Sequence, residues 1–484
     1  MNKPFLFLLS SVGVVLAGCT MAPDYERPVA PIPVDFPTGE AYTADDAVNG
    51  APAGSHMPWR EFYTDDKLRD VVVLTLENNR DLRVAVLNIE RTRALYNIER
   101  SALLPTISAG GNVERARTPA DLSYSGTAST SSQYSADFGF ASWEIDLFGR
   151  IRSMSEAALQ EYFATQQAAL SVQTMLISEV ASSYLTLAAD QARLELAKTT
   201  LQTREQALDL VTRRYERGLS PLLDVHRAQA QVDAAQVSLV TFVQLIALDK
   251  NQLNLLAGTT VPDHLLPGDL DSVEEPALIS AGISSLVLLN RPDIMEAEHT
   301  LMAANANIGA ARAAFFPRIS LTAAAGTASS DLSSLFTSGQ GMWTYGAQIV
   351  MPIFDPRTWA QVRVSQADKD IAIAQYEQAI QASFREVADT LAVRGTILQQ
   401  LKAQRDYVQS ESEVNRLSNV RYVRGLDGYL SVLDSERELY AAQLDLVELE
   451  LTRLTNKVRL YAVLGGGWQP LEEPDGGESD EIVQ

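Results

Sequence analysis

Side chains able to do chemistry are few in this chain of 484 residues. Its four histidines, His56, His226, His264 and His299, belong to no HExxH pattern, and the sequence has no GxSxG, phosphate-cradling loop or CxxC pattern. No catalytic residue, metal site or cofactor is expected, and neither is an enzyme. Two constellations remain. The first is a thiol: Cys19, the only cysteine, follows Leu16-Ala17-Gly18, which leaves no intrachain disulfide framework. The second is ionic. Leu430, Leu433, Tyr440, Leu444, Val447, Leu451, Leu454, Val458 and Tyr461 follow three- and four-residue steps, and Arg437 is the polar member of that series. An arginine in a buried seam is costly unless paired, and Asp434, three residues earlier, lies on nearly the same face. The pair invites a function, or else is a solvated i,i+3 pair at a fraying seam.

The elements that position these residues occur twice. RYERGLSPLLD at 214–224 and RYVRGLDGYLS at 421–431 share Tyr215/Tyr422, Arg217/Arg424, Gly218/Gly425 and Leu219/Leu426. Each copy ends one long helical pattern and starts another. The glycines can turn left-handed without a Cβ penalty, while Ser220-Pro221 and Asp427-Gly428 are expected to supply an N-cap and a first helical position. Both copies therefore read as tips of helical hairpins. NRDL at 79–82 likewise matches NRPDI at 290–294, and ERSALLPTIS at 99–108 matches AARAAFFPRIS at 310–320, so one structural unit is built twice.

Heptad spacing runs through Val180, Leu187, Leu194, Leu201, Leu208 and Tyr215, and through Val225, Val232, Leu239, Ile246 and Leu253. A helix spanning 150–217 would be roughly 100 Å long at 1.5 Å per residue. Matching helices are expected over 357–424 and 428–464. After Pro105 and Pro317 the period changes to two. Ile107, Ala109, Gly111 and Val113 alternate with small or polar residues, as do Tyr134, Ala136, Phe138 and Phe140, then Ile319, Leu321, Ala323 and Ala325, then Trp343, Tyr345, Ala347, Ile349 and Met351. The expected plan is mainly α with four β-strands. Its segments are a leader at 1–18, an extended proline-rich strap at 19–58, a first repeat at 59–257, a connector at 258–280, a second repeat at 281–465 and an acidic tail at 466–484. The net charge of −22 offers no basic stripe for nucleic acid.

Strands with one apolar and one small or polar face suit an outer-membrane barrel, but such a barrel needs at least eight strands to abolish its edges. Two chains would give that minimum with little lumen, and three would give twelve strands, so a homotrimer is expected. Tyr134, Phe138, Phe140, Trp343, Tyr345 and Ile349 would face lipid; Asp137, Thr344, Gly346 and Gln348 would line water. Beyond the leader, no run reads as apolar and long enough for a membrane-spanning helix. The long helices carry Arg, Glu and Gln throughout and belong in water.

Lys3, the apolar run FLFLLSSVGVVL at 5–16 and LAGC at 16–19 resemble a bacterial lipoprotein lipobox, which implies that Cys19 becomes an acylated N-terminus. Thr20, in place of aspartate, implies delivery to the outer membrane. WREFYTDDKLRDVVVLTLENNRDLRVA, WEIDLFGRIR, RPDIMEAEHTLMAANANIGAARAAFFP and both RGL tips resemble the TolC-like outer-membrane factors, and within them the lipoprotein OprM subfamily. The resemblance covers nearly the whole mature chain. It implies a trimer with a 12-stranded membrane barrel and a periplasmic helical tunnel. It implies the exit duct of a tripartite efflux system, with a periplasmic adaptor and an inner-membrane pump of the resistance-nodulation-division type as partners. On the tip motif it places a periplasmic gate at Tyr422, Leu430, Asp434 and Arg437, and adaptor contacts at Arg217, Gly218, Leu219, Ser220, Arg424, Gly425, Leu426 and Asp427. A related duct for type I protein secretion remains the alternative. A structural coiled-coil rod would share the heptads but not the strand pairs or the mirrored tips.

Overall fold

The computed structural model describes residues 20–42, 57–280 and 284–466. The leader, Cys19 and nearly all of the acidic tail lie outside them. After a one-turn helix at Trp59–Phe62 come α1 (Asp66–Asn78), α2 (Arg80–Ser101), strands β1 (Ile107–Thr118) and β2 (Ser129–Ile145), then α3 (Arg150–Glu216) and α4 (Leu222–Ala257). The second half repeats the order with α5 (Pro292–Ala313), β3 (Arg318–Ser329), β4 (Gly341–Val350), α6 (Pro356–Val423) and α7 (Tyr429–Val463). The described part of the chain is mostly helical, and the four strands form one antiparallel sheet in sequence order.

Two compact units divide the chain. The first holds the residues up to 29 together with 88–165 and 296–376, and the sheet belongs to it. Register puts the alternating residues of all four strands into common rows. Ala109 pairs with Phe138, Phe138 with Ala325 and Ala325 with Trp343; one row further on stand Ile107, Phe140, Ala323 and Tyr345. Because side chains alternate between faces, one face is mainly apolar and turns polar only at one end, at Arg115, Arg117, Thr130, Ser132, Thr327 and Ser329, and the other carries Ser108, Asp137, Gly139, Thr344 and Gln348. On the apolar face Ile107, Val113, Phe138, Trp343, Tyr345 and Ile349 are all exposed. β2 extends beyond the alternation read from sequence. A bulge between Phe140 and Trp143, with Ser142 at φ 55°, adds the residues that return Trp143 and Ile145 to the apolar face opposite Leu321 and Ile319. β1 and β4 are left as open edges.

The strap lies along α5 in this unit. Glu298, Asn305 and Arg312, seven residues apart and so on one helical face, hold it in turn. Tyr25 and Arg27 donate to the Glu298 carboxylate at 3.1 and 2.6 Å, Asn305 donates to the Pro23 carbonyl at 2.7 Å, and Arg312 donates to the Met21 carbonyl at 3.4 Å. Gly309 stands between the last two. A Cβ there would come within 2.6 Å of the Ala22 nitrogen, so the close passage of the strap requires glycine.

The second unit holds residues 30–87, 166–295 and the chain from 377 onward. Asp65 caps α1 by accepting from the Leu68 amide at 2.8 Å, and Asn79 does the same for Leu82 in α2, which explains the break at Asn78-Asn79. Phe62 stacks on Tyr461 with ring centroids 4.0 Å apart. In α3 the heptad seam is buried at Val180 and Leu187, half-buried through Leu208 and exposed at Tyr215, so it opens toward the tip. α4 corrects the expectation that no run after the leader is apolar enough to cross a membrane. By length and composition alone it is, and little of it is buried within the chain. The heptad residues Val225, Val232, Leu239 and Ile246 are half-buried and Leu253 is buried, whereas Val237, Val240, Val243, Leu248 and Leu255, which lie off that series, are exposed.

Candidate functional site at the hairpin tips

Both tips lie in the second unit and close by the same hydrogen bonds. Gly218 and Gly425 each adopt φ 72°. Their amides donate to the Tyr215 and Tyr422 carbonyls at 2.8 and 2.9 Å. The next amides, of Leu219 and Leu426, reach back to Arg214 and Arg421 at 2.8 and 2.9 Å. This is the Schellman geometry, which satisfies the last carbonyls of α3 and α6 and demands a left-handed residue at the turn.

The caps that follow differ from the sequence expectation by one residue. α4 starts at Leu222 with Pro221 in the cap position, and α7 starts at Tyr429 with Gly428 there. Ser220 and Asp427 cap nothing, because each is engaged across its turn. Ser220 donates to Asp224 at 3.1 Å, and Asp427 accepts from Arg421 at 2.5 and 3.0 Å. That pairing with Arg421 holds the Asp427 carboxyl below its ordinary range. Arg217, Gly218, Leu219, Arg424, Gly425 and Leu426 are exposed, so the tips present two arginines and two leucines to the surroundings.

Behind the tips, Val211 and Ala228 of the first hairpin pack with Tyr422, Tyr429, Val432 and Leu433 of the second. Tyr422 is 6% exposed, its ring lies 5.2 Å from that of Tyr429, and the Arg214 guanidinium sits 4.8 Å above it. Its hydroxyl is buried without a hydrogen-bond partner among the described residues. Tyr422 therefore joins the two hairpins by packing and a cation–π contact.

The remaining gate candidates form a different face. Leu430, Asp434 and Arg437 are spaced i, i+4, i+7 on α7. Leu430 is 52% exposed, and the Asp434 and Arg437 side chains are 54% and 65% exposed. Arg437 is not in a buried seam; of the two readings left open by the sequence, the structure has the solvated i,i+3 pair. It lies 3.5 Å from Asp434 and 3.3 Å from Glu438, as a solvated cluster. The seam slips near the tip because Tyr429 and Val432 pack beside Leu433 in the buried cluster and Leu430 turns outward.

Sequence reading missed a second ionic cluster between the hairpins. Arg204 of α3 donates to the Gln231 carbonyl at 3.1 Å and lies 5.5 Å over the Tyr440 ring. Burial pushes the neighbouring Glu436 carboxyl up, with Arg204 opposing. Glu436 Oε2, Tyr440 Oη and Arg204 Nε are buried without partners among the described residues. Polar residues within a heptad region were the available signal. Asp224, also buried, was missed for the same reason.

Comparison with known proteins matches this plan. A family model described as outer membrane efflux protein covers residues 71–259 and again 283–466, so it recognises both repeats. A probable efflux pump outer membrane protein, SepC of Pseudomonas putida F1, is 46% identical over 473 residues, spanning 96% of this chain and 97% of its own. The cation efflux system protein CusC of Escherichia coli O157:H7 is 38% identical over 472 residues, spanning 96% and 100%. Among solved structures, the open state of the Neisseria gonorrhoeae MtrE outer membrane channel superposes with a TM-score of 0.82 at 36% identity, covering 94% of this chain and all of that one.

Proposed function

Because the chain belongs to the outer membrane efflux protein family, whose members are outer-membrane channels of efflux systems with periplasmic extensions, we propose that three copies close one passive duct. The carrying observation is the sheet. Four strands with two open edges and one exposed apolar face leave backbone donors and acceptors unpaired, which hydrocarbon does not tolerate. Pairing β1 of one copy with β4 of the next removes every edge and gives twelve strands. Trp343, Tyr345, Phe138 and Ile349 then face lipid, and Asp137, Thr344 and Gln348 face water. The exposed apolar stripe of α4 is covered by the neighbouring copy in the same assembly.

In this reading the domain plan is that of the sequence: leader, strap, repeat, connector, repeat and tail. Acylated Cys19 anchors the strap. The support is that Thr20, its neighbour, lies 3.4 Å from Ser153, in the first turn of α3 just after β2. A diacyl chain attached there would enter the bilayer at the level where the sheet begins.

The gate works without bond chemistry. Three copies of Leu430 narrow the tip, and three Asp434 carboxylates attract cations and repel anions. Arg437 restrains Asp434, and Tyr422 locks the inner hairpin to the outer one. An adaptor that takes up the exposed Arg217–Ser220 and Arg424–Asp427 turns would draw the hairpins apart. The pump, of the resistance-nodulation-division type, supplies the energy. Relatives carry names referring to toluene, antibiotic and cation efflux, which favours small toxic solutes over secreted proteins as cargo.

Cysteines placed singly along β1 and along β4 test the assembly. Joint β1 and β4 substitutions are expected to yield disulfide-linked dimers and trimers; cross-links confined to single chains refute it. For the gate, Asp434→Ala in planar bilayers is expected to lower cation preference, and unchanged selectivity rejects the assigned role.

A further inference from the structure

The two tip turns share a backbone and differ in one charge. In the second turn Arg421 binds Asp427 through two hydrogen bonds, from Nε at 2.5 Å and from Nη2 at 3.0 Å, so its guanidinium is engaged within its own hairpin. Arg214 holds the same place in the first turn, and Ser220 stands where Asp427 does in the second. Both turn glycines are at φ 72°, and the cap residues are alike, Pro221 at φ −72° and ψ 154° and Gly428 at φ −77° and ψ 161°. An acid at 220 would therefore face Arg214 as Asp427 faces Arg421. Ser220 carries no charge, and its hydroxyl donates to Asp224 at 3.1 Å.

Arg214 turns to the other hairpin instead. Its guanidinium lies 4.8 Å over the Tyr422 ring, and Nη1 points at the Val423 carbonyl oxygen at 3.5 Å. Val423 ends α6, where unpaired carbonyls and the helix dipole favour a cation. Arg214 Nε is buried without a partner among the described residues. It corresponds to the nitrogen that holds Asp427 in the second turn. The carboxylates around the first turn are engaged elsewhere, Asp209 with Arg213 at 2.9 Å and Asp224 with Ser220 and, at 3.9 Å, with Arg227.

We propose that Arg214 is the positioning residue by which the first hairpin holds Tyr422 and the end of α6, and that serine at 220 keeps it available by withholding the acid that would draw it into its own turn. The two copies of one turn have thereby divided their work. The second closes on itself, and the first reaches across. The assignment rests on the reading of Tyr422 as the lock between the hairpins and names the residue that holds the lock.

Chymotrypsin cleavage after Tyr422, followed by mass spectrometry on the full chain in detergent, reports how often this ring leaves its site, because the ring must enter the protease pocket. Ser220→Asp is expected to speed that cleavage about tenfold, and Arg214→Gln by about the same factor. Ser220→Asn, equal in size to aspartate but neutral, stays within about twofold of the parent. The double variant decides the cause. With Arg214→Gln in place, Ser220→Asp adds nothing, because no guanidinium remains to be drawn away. An acceleration by Ser220→Asp that persists or grows beside Arg214→Gln overturns the proposal, since the new acid then acts by repelling Asp224. Equal rates for Ser220→Asp and the parent overturn it too, as does equal acceleration by Ser220→Asn. Conductance of the Ser220→Asp protein in planar bilayers tests the gate separately. Raised conductance joins the clasp to the gate, and unchanged conductance beside faster cleavage upholds the clasp while counting against Tyr422 as a gate residue.

Discussion

Tyr422 offers the sharpest test of how the tips are held, because its ring and its hydroxyl have opposite consequences. The ring is buried between Tyr429, Val432 and the Arg214 guanidinium, whereas the hydroxyl is buried without a partner among the described residues. Truncation to alanine empties an aromatic site, which costs about 3–5 kcal/mol in packed interiors. Loss of the cation–π contact adds roughly 0.5–1 kcal/mol. Tyr422→Phe keeps the ring and removes an unsatisfied polar atom, so its effect is within about 1 kcal/mol of zero and on the stabilising side. Trypsin cleavage after Arg421 reports local opening, because the scissile bond leads into the buried ring and accessibility follows the open population. Since about 1.4 kcal/mol is a factor of ten, Tyr422→Ala is expected to cleave at least about 300-fold faster than the parent, and Tyr422→Phe no faster. Equal acceleration by both substitutions, or by neither, refutes the view that this ring locks the hairpins.

Three further outcomes follow. Burial and the adjacent Asp190 carboxylate push the Asp249 carboxyl up to about 6, with Arg193 opposing. The folded chain therefore binds this proton more tightly than the unfolded one, and the associated stability is full below about pH 4 and lost as pH rises through about 6. Asp249→Asn should melt with the parent near pH 4 and above it at pH 7.5, by about 1 kcal/mol after allowance for solvent screening; a parent that melts higher at pH 7.5 contradicts this. Gly309→Val should expel the strap and raise chymotrypsin cleavage after Tyr25 about tenfold or more, whereas an unchanged rate would mean that the strap does not need the glycine. Cys19→Ser should remove the acyl mass from the purified protein; a mass that differs from the parent's only by the exchange of sulfur for oxygen excludes lipidation.

The duplication, both glycine turns and the four strands with their faces were legible because each rests on local chemistry: a left-handed glycine, or a period of two. The register confirmed that the alternating residues share rows from Ile107 to Tyr345. What failed depended on partners that sequence spacing does not identify. A heptad marks a position that wants covering, without saying whether its own chain supplies the cover. Leu430 is apolar yet exposed for that reason, and Arg437, for which the spacing left a buried and a solvated reading open, is solvated. The β2 bulge hid Trp143 because an inserted residue breaks the period that reveals a strand. The strap anchors Glu298, Asn305 and Arg312 were invisible because a segment without periodicity carries no record of the helix it lies on.

The account stands on the open-edged sheet, and subunit stoichiometry tests it most directly. Native mass spectrometry of the full chain in mild detergent is expected to show three copies per particle that persist on dilution. A stable single subunit that retains its strand content contradicts the account.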